Sequence, residues 1–315
     1  MKDEIANAPK IINEALKTIN EAHGRRLQYV QHIGSNRGVD VAKVAENAAI
    51  YSLKVIDHEE VKNHPEFDPD FRVESIRREG RILERLSFHD IGGYLNHGSD
   101  ARLSWVVTRW IDGQSASELA RAMRGDKNND QNFLRLFSSL IRPVAALHQL
   151  GFLHADLQPN HFIRSTDGAV HLIDFGLTHE IGDPDAPYKG GLVHFNAPEV
   201  ARQMIRKSSR TDYGIKSEIY SLGAILFLLY TGKVPVNYGS DDPKSIPFET
   251  KLRMIAEGRL RSFADCGAAP CLPIEAFLQK LLALDPLERF NSLNEALTRL
   301  EDMARDFDHL TSEAH

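Results

Sequence analysis

Near the start of the chain, Ile5, Ile11, Ile12, Ala15, Leu16 and Ile19 recur at helical spacing before Gly24. Residues three and four apart share one helix face, so an amphipathic helix with a packing role is expected there. From residue 27 the period shortens. Apolar runs at 27–33, 39–45 and 50–56 are separated by Gly34-Ser35-Asn36-Arg37-Gly38 and by Glu46-Asn47, which predicts a small antiparallel sheet. Residues 71–86 read as a helix, and strand-like runs follow around Tyr94-Leu95 and over 103–108. Beyond about Ser115, helical patterns dominate. A sheet-rich first third and a helical remainder predict an α+β chain of two lobes. The expected divisions are a helical extension over 1–26, a sheet lobe over 27–108, a hinge at 109–113 and a helical lobe over 114–315.

Composition narrows the classes of function. With 315 residues, 42% of them hydrophobic and 26% charged, the chain can bury a substantial core. A net charge of −6 carries no basic footprint, so neither nucleic acid nor an anionic membrane is the expected partner. The most apolar run, residues 222–230, is far shorter than the roughly 20 residues that cross a bilayer, and reads as a buried helix. No signal-peptide pattern follows the opening Met-Lys-Asp-Glu, so a cytoplasmic location is expected. Cys266 and Cys271 lie close together without a second pair, which suits reduced structural thiols better than a zinc knuckle or a disulfide framework.

The candidate chemistry is concentrated between His154 and Glu199. His154-Ala155-Asp156-Leu157-Gln158-Pro159-Asn160-His161-Phe162 is followed shortly by Leu172-Ile173-Asp174-Phe175-Gly176, so two carboxylates flank a predicted hairpin. Phosphoryl transfer needs one carboxylate to orient the accepting hydroxyl and another to hold the metal that bridges the phosphates. Asp156 and Asp174 suit these two roles. An Asp-Phe-Gly triplet taken singly is as well explained by a turn; the ordered combination is what points to chemistry.

In that combination the chain resembles the eukaryotic-type protein kinase superfamily from about residue 27 to about residue 300. The resemblance implies a two-lobed protein-kinase-like fold, with a small antiparallel-sheet lobe carrying one main helix and a mostly helical second lobe. Within Tyr51-Ser52-Leu53-Lys54-Val55, Lys54 matches the ATP-binding lysine. Within Arg78-Glu79-Gly80-Arg81-Ile82-Leu83, Glu79 matches its partner, in preference to Glu74 or Glu84. Ala197-Pro198-Glu199 and Asp285-Pro286-Leu287-Glu288-Arg289 resemble the two motifs joined by a buried ion pair, Glu199 to Arg289, and Tyr220-Ser221-Leu222-Gly223 resembles the start of the central helix. Thr108 falls at the gatekeeper position, with the backbone of Arg109 and Ile111 expected at adenine and Ile163 as the pocket floor beneath Ile33, Val41 and Ser52. Gly34 and Gly38 belong to the phosphate-binding loop.

Several residues depart from the family pattern. Asn36 replaces the tip glycine, Ala155 an arginine, Gln158 the lysine of Ser/Thr kinases, Leu192 a threonine and Glu218 an aspartate. Asn tolerates positive φ, so the loop is expected still to turn at Asn36. Without a guanidinium at 155, phosphorylation over 178–193 is not expected to switch the chain, although Thr178 and Tyr188 are the clearest acceptors there. His161 stands at the metal-binding asparagine position, as in kinases resembling the lipopolysaccharide heptose kinases. It reads as a metal ligand, as a packed histidine beside Asp174, or as a residue whose place Asn160 or water takes. The expected function is transfer of the γ-phosphate of ATP, with Mg²⁺ or Mn²⁺, to a hydroxyl of a protein or small molecule. The alternatives are a pseudokinase serving as a nucleotide-binding or scaffold module, and a kinase for a small molecule or glycan.

Overall fold

A computed structural model describes residues 8–36, 38–64, 68–124, 129–183, 188, 191–208, 211–240 and 242–312. The chain divides into two compact units, one of Met1–Asp112 with Asp174–Thr178 and the other of Gly113–Ile173 with His179–His315.

The first unit contains helix α1 (Lys10–His23), strands β1 (Gln28–Asn36), β2 (Val39–Glu46) and β3 (Ala49–Asp57), helix α2 (Pro69–Leu86), and strands β4 (Tyr94–Ser99) and β5 (Leu103–Arg109). The strands form one sheet in the order β1-β2-β3-β5-β4, with every neighbouring pair antiparallel. Side chains alternate across a strand, so the sheet has two distinct faces. One face presents Ala42, Val44, Leu53, Val55, Trp105 and Val107 to Ile11, Ile12, Ala15, Leu16 and Ile19 of α1. This is the apolar stripe read from the sequence; Ile5 lies outside the described residues. The other face carries Val41, Lys54 and Val106 in one register row, with Ser52 opposite Thr108 in the next.

Helix α2 begins at Pro69, where a missing N–H costs nothing, and the Asp68 side chain accepts from Phe71 N at 3.1 Å. Gly80 lets the helix approach β4 closely. A Cβ there would stand 2.5 Å from both Cβ and Cγ of His97.

The second unit contains β6 (Gly113–Ser115), α3 (Ala116–Met123), α4 (Asp130–Gln149), β7 (Phe152–Leu153), β8 (Phe162–Ser165), β9 (Val170–Leu172), β10 (His179–Glu180), α5 (Pro198–Ile205), α6 (Ile215–Thr231), α7 (Phe248–Ala256), α8 (Phe263–Cys266), α9 (Leu272–Leu281) and α10 (Leu293–Ser312). Helix α6 is buried on nearly every side, as an all-round apolar helix must be. It starts five residues before Tyr220, so Glu218 lies in its first turn rather than ahead of it. Two small sheets, β6-β8-β9 and β10-β7, complete the unit. Among the described residues no helix is long and apolar enough to cross a membrane. Both cysteines are free, and burial pushes the Cys271 thiol up to about 11.

Candidate active site

In the first unit a cavity of about 340 Å³ is walled by the β1–β2 hairpin, by β3, by one face of α2 and by Asp174 and Gly176. Lys54 donates to Glu79 Oε2 at 2.8 Å and to Asp174 Oδ1 at 3.0 Å. Glu79 is 4% exposed, and its second oxygen accepts from Phe175 N at 3.3 Å. Burial works against the ammonium of Lys54, but the carboxylates of Asp174 and Glu79 outweigh it and hold its pKa above the ordinary lysine range. Lys54 therefore stays protonated. Of the three glutamates considered on α2, Glu79 is the one that reaches it; Glu74 pairs with Arg81 instead.

The hairpin differs from the expected loop. Asn36 is paired with Val39 as the last residue of β1, and positive φ belongs to Gly38, at 79°. Arg37 lies outside the described residues. Strand pairing rather than glycine spacing shapes this hairpin, and it leaves Gly34, Ser35 and Asn36 along the cavity wall.

Ile33, Gly34, Val41, Lys54, Glu79 and Asp174 all line this cavity. Ser52 and Thr108 are cross-strand neighbours on the same sheet face as Lys54. The Arg109 N–H is committed to Gly93 O at 2.7 Å, which directs any ligand to its carbonyl. Ile111 follows β5, and the side chain of Asp112 accepts from Trp110 Nε1 at 2.8 Å.

Asp156, Gln158, His161 and Ile163 belong to the second unit. Gln158 Nε2 donates to Asp156 Oδ1 at 2.9 Å. His161 Nδ1 lies 2.8 Å from Asp156 O, and a carbonyl only accepts, so Nδ1 carries the proton and the neutral ring has its lone pair on Nε2. His154 has the other tautomer: Nε2 donates to Ile173 O at 3.1 Å, and Nδ1 receives Asp156 N at 3.4 Å. Ile163 sits in β8 between Ser115 and His171.

Glu218, fully buried, accepts from Ala155 N at 2.7 Å, from His154 N at 3.2 Å and from His148 Nε2 at 2.6 Å. Burial pushes its carboxyl up, yet the hydrogen bonds and charge of His148 together with the Ala155 N–H leave it below the ordinary glutamate range. The methylene that distinguishes it from aspartate is absorbed by this three-donor cradle. Ala155 is held there at φ 62°, a left-handed conformation that an L-residue keeps only when its surroundings impose it. Arg289, fully buried, makes two hydrogen bonds of 2.8 Å to the two oxygens of Glu199.

Over residues 27–299 the chain matches the family model described as the protein kinase domain. It belongs to the protein kinase family. A probable serine/threonine-protein kinase of Clostridium perfringens is 21% identical over 295 residues, covering 91% of this chain and 40% of the relative. The serine/threonine-protein kinase PknJ of Mycobacterium tuberculosis is 24% identical over 283 residues, covering 86% of this chain and 44% of that protein. PrkC of Bacillus subtilis, another serine/threonine-protein kinase, is 22% identical over 228 residues and is matched over 32% of its length. The chain therefore spans less than half the length of these relatives, and what it shares with them is the kinase domain, in the two-lobed α+β fold expected from the motifs.

Some residues of the kinase domain were not singled out from sequence. Arg72, Ser75 and Ile76 line the cavity beside Glu79, and their spacing of 0, +3, +4 and +7 is the signal that could have found them. His148 gives no such signal, because its partner Glu218 lies 70 residues away. Thr178 is fully buried, and Tyr188 is 8% exposed. Tyr188 stacks on Tyr213 at 4.3 Å and donates to Asn196 Oδ1 at 2.8 Å. In this structure neither expected acceptor hydroxyl is presented to solvent.

Proposed function

We propose that the chain is an ATP-dependent phosphotransferase of the Ser/Thr-kinase type, and the observation that carries the reading is the Lys54 ammonium held by Glu79 and Asp174 in the wall of the cavity beneath the β1–β2 hairpin. A protonated lysine fixed in place suits phosphate oxygens, since it needs no reorganisation when charge develops. Ile33, Val41 and Ser52 supply contacts to adenine, Thr108 borders it, and the Arg109 carbonyl and Ile111 backbone read its edge. Gly34 and Gly38 shape the hairpin over the phosphates, and Gln158 steadies Asp156, which orients or deprotonates the acceptor hydroxyl.

The donor set suits a divalent cation. Asp174 offers a carboxylate that is 42% exposed, and His161, whose Nδ1 bonds to the Asp156 carbonyl, would offer Nε2 as the ligand atom. In this reading Asp174 holds Mg²⁺ or Mn²⁺ and His161 is a further ligand. Bound there, the cation would neutralise phosphate oxygens. The acceptor is a hydroxyl on a protein, by likeness to the Ser/Thr kinases, or on a small molecule.

The test is ATP turnover by the purified chain, with Asp156→Ala as control and with protein, sugar and metabolite acceptors compared. Turnover lost in Asp156→Ala supports the reading. Nucleotide binding without turnover in the wild type would instead mark a pseudokinase.

A further inference from the structure

We propose that Arg72 is a second phosphate-binding cation of this cavity, contacting the terminal phosphate of bound ATP; the assignment rests on the phosphotransferase reading above. Arg72 belongs to the same face of α2 as Ser75, Ile76 and Glu79, and all four line the cavity. Seven residues of helix separate Arg72 from Glu79, a rise of about 10 Å, so one edge of α2 runs from the lysine clamp to the arginine. Ser35 and Asn36 line the same cavity.

The charges on this wall make the case. Lys54 is shared between Glu79 and Asp174, so one cation faces two carboxylates. Arg72 is the second cation of the described lining. Without it, that lining would present net negative charge to a polyanion. The chain also has Gln158 and Ala155 where lysine and arginine stand in the family pattern, two fewer cations for a phosphate. A guanidinium suits the task because its planar fork can bind two phosphate oxygens at once.

The experiment measures the affinities of the full chain for ATP, ADP and adenosine, each with Mg²⁺, in the wild type, Arg72→Gln and Arg72→Lys. Binding needs no turnover, so it reads the contact directly. Arg72→Gln is expected to lose about tenfold in ATP affinity, less for ADP and nothing for adenosine, with partial recovery in Arg72→Lys. An unchanged ratio of ATP to ADP affinity in Arg72→Gln, or an equal loss for all three ligands, would overturn the assignment. A wild type that binds none of the three would overturn it together with the phosphotransferase reading, and the two failures are told apart by the wild type alone.

Discussion

Lys54 is a cavity residue but not an exposed charge: its side chain is 19% exposed and both its partners are carboxylates. Replacing it with methionine strands Glu79, which is 4% exposed, as a buried charge. Lys54→Met is therefore expected to lose ATP affinity and also about 3 kcal/mol of stability. Lys54→Met combined with Glu79→Gln should recover the stability without the affinity. Thermal melts and ATP titrations of the two proteins check this, and equal melting temperatures for wild type and single variant would contradict it. His161 poses a separate question. As a nitrogen ligand it suits manganese, whereas magnesium demands near-ideal oxygen coordination and gives up water reluctantly. Nucleotide affinity should then favour Mn²⁺ in the wild type, and His161→Asn should shift the preference toward Mg²⁺. The same metal ranking in both proteins would mean that His161 only packs.

Among the elements, α2 decides the geometry of the lysine clamp, and Gly80 decides how close α2 lies to β4. Gly80→Ala places a methyl against His97, whose Nδ1 is 2.9 Å from Tyr94 Oη, so the ring is not a freely yielding neighbour. The expected outcome is a loss of about 1–3 kcal/mol and weaker ATP binding, because a shifted α2 carries Glu79 away from Lys54. A melt unchanged from wild type would refute the close approach. The segment after Asp174 is anchored differently. Burial raises the Tyr188 hydroxyl well above the ordinary tyrosine range, so it stays protonated in its stack on Tyr213. Turnover is expected to survive phosphatase treatment. Tyr188→Glu is expected to lower the melting temperature, since it places a carboxylate where the stack excludes water. If phosphatase abolished turnover, the buried anchor would not be what holds the segment.

For the molecule as a whole, acid sensitivity should come from buried carboxylates that fold ionised. Burial pushes the carboxyls of Glu218 and Glu199 up, but His148 in one case and Arg289 in the other overcome it, and both groups sit below the ordinary glutamate range. A carboxyl whose folded pKa is depressed contributes stability above its unfolded pKa, and that contribution disappears as pH falls through the folded value. Melting temperature should therefore be steady near neutrality and drop below about pH 4.5. Glu218→Gln should start lower and drop less over that range, because one titrating group is gone. Parallel curves for the two proteins would show that Glu218 does not contribute.

The sequence by itself determined the elements and the family. The helical stripe of α1, the alternation of β2, β3 and β5, and the all-apolar α6 are local periodicities, written within a few residues and visible without a fold. Motif order did the rest, placing Lys54, Glu79, Asp156 and Asp174 where the kinase pattern puts them. Tertiary structure decided what local pattern does not encode. Asn36 was expected at a turn and lies in a strand, because its pairing with Val39 across the hairpin sets its conformation. Thr178 and Tyr188 were read as acceptors and are buried, because burial depends on what packs over a residue and not on its own type. The Lys54–Glu79 and Arg289–Glu199 pairs were expected from the family motifs, whereas His148–Glu218, 70 residues apart, was visible only in the fold. Arg72 lines the cavity only once α2 has been laid along it. Separations of that length are closed by strand order and helix placement, which carry no trace in spacing along the chain.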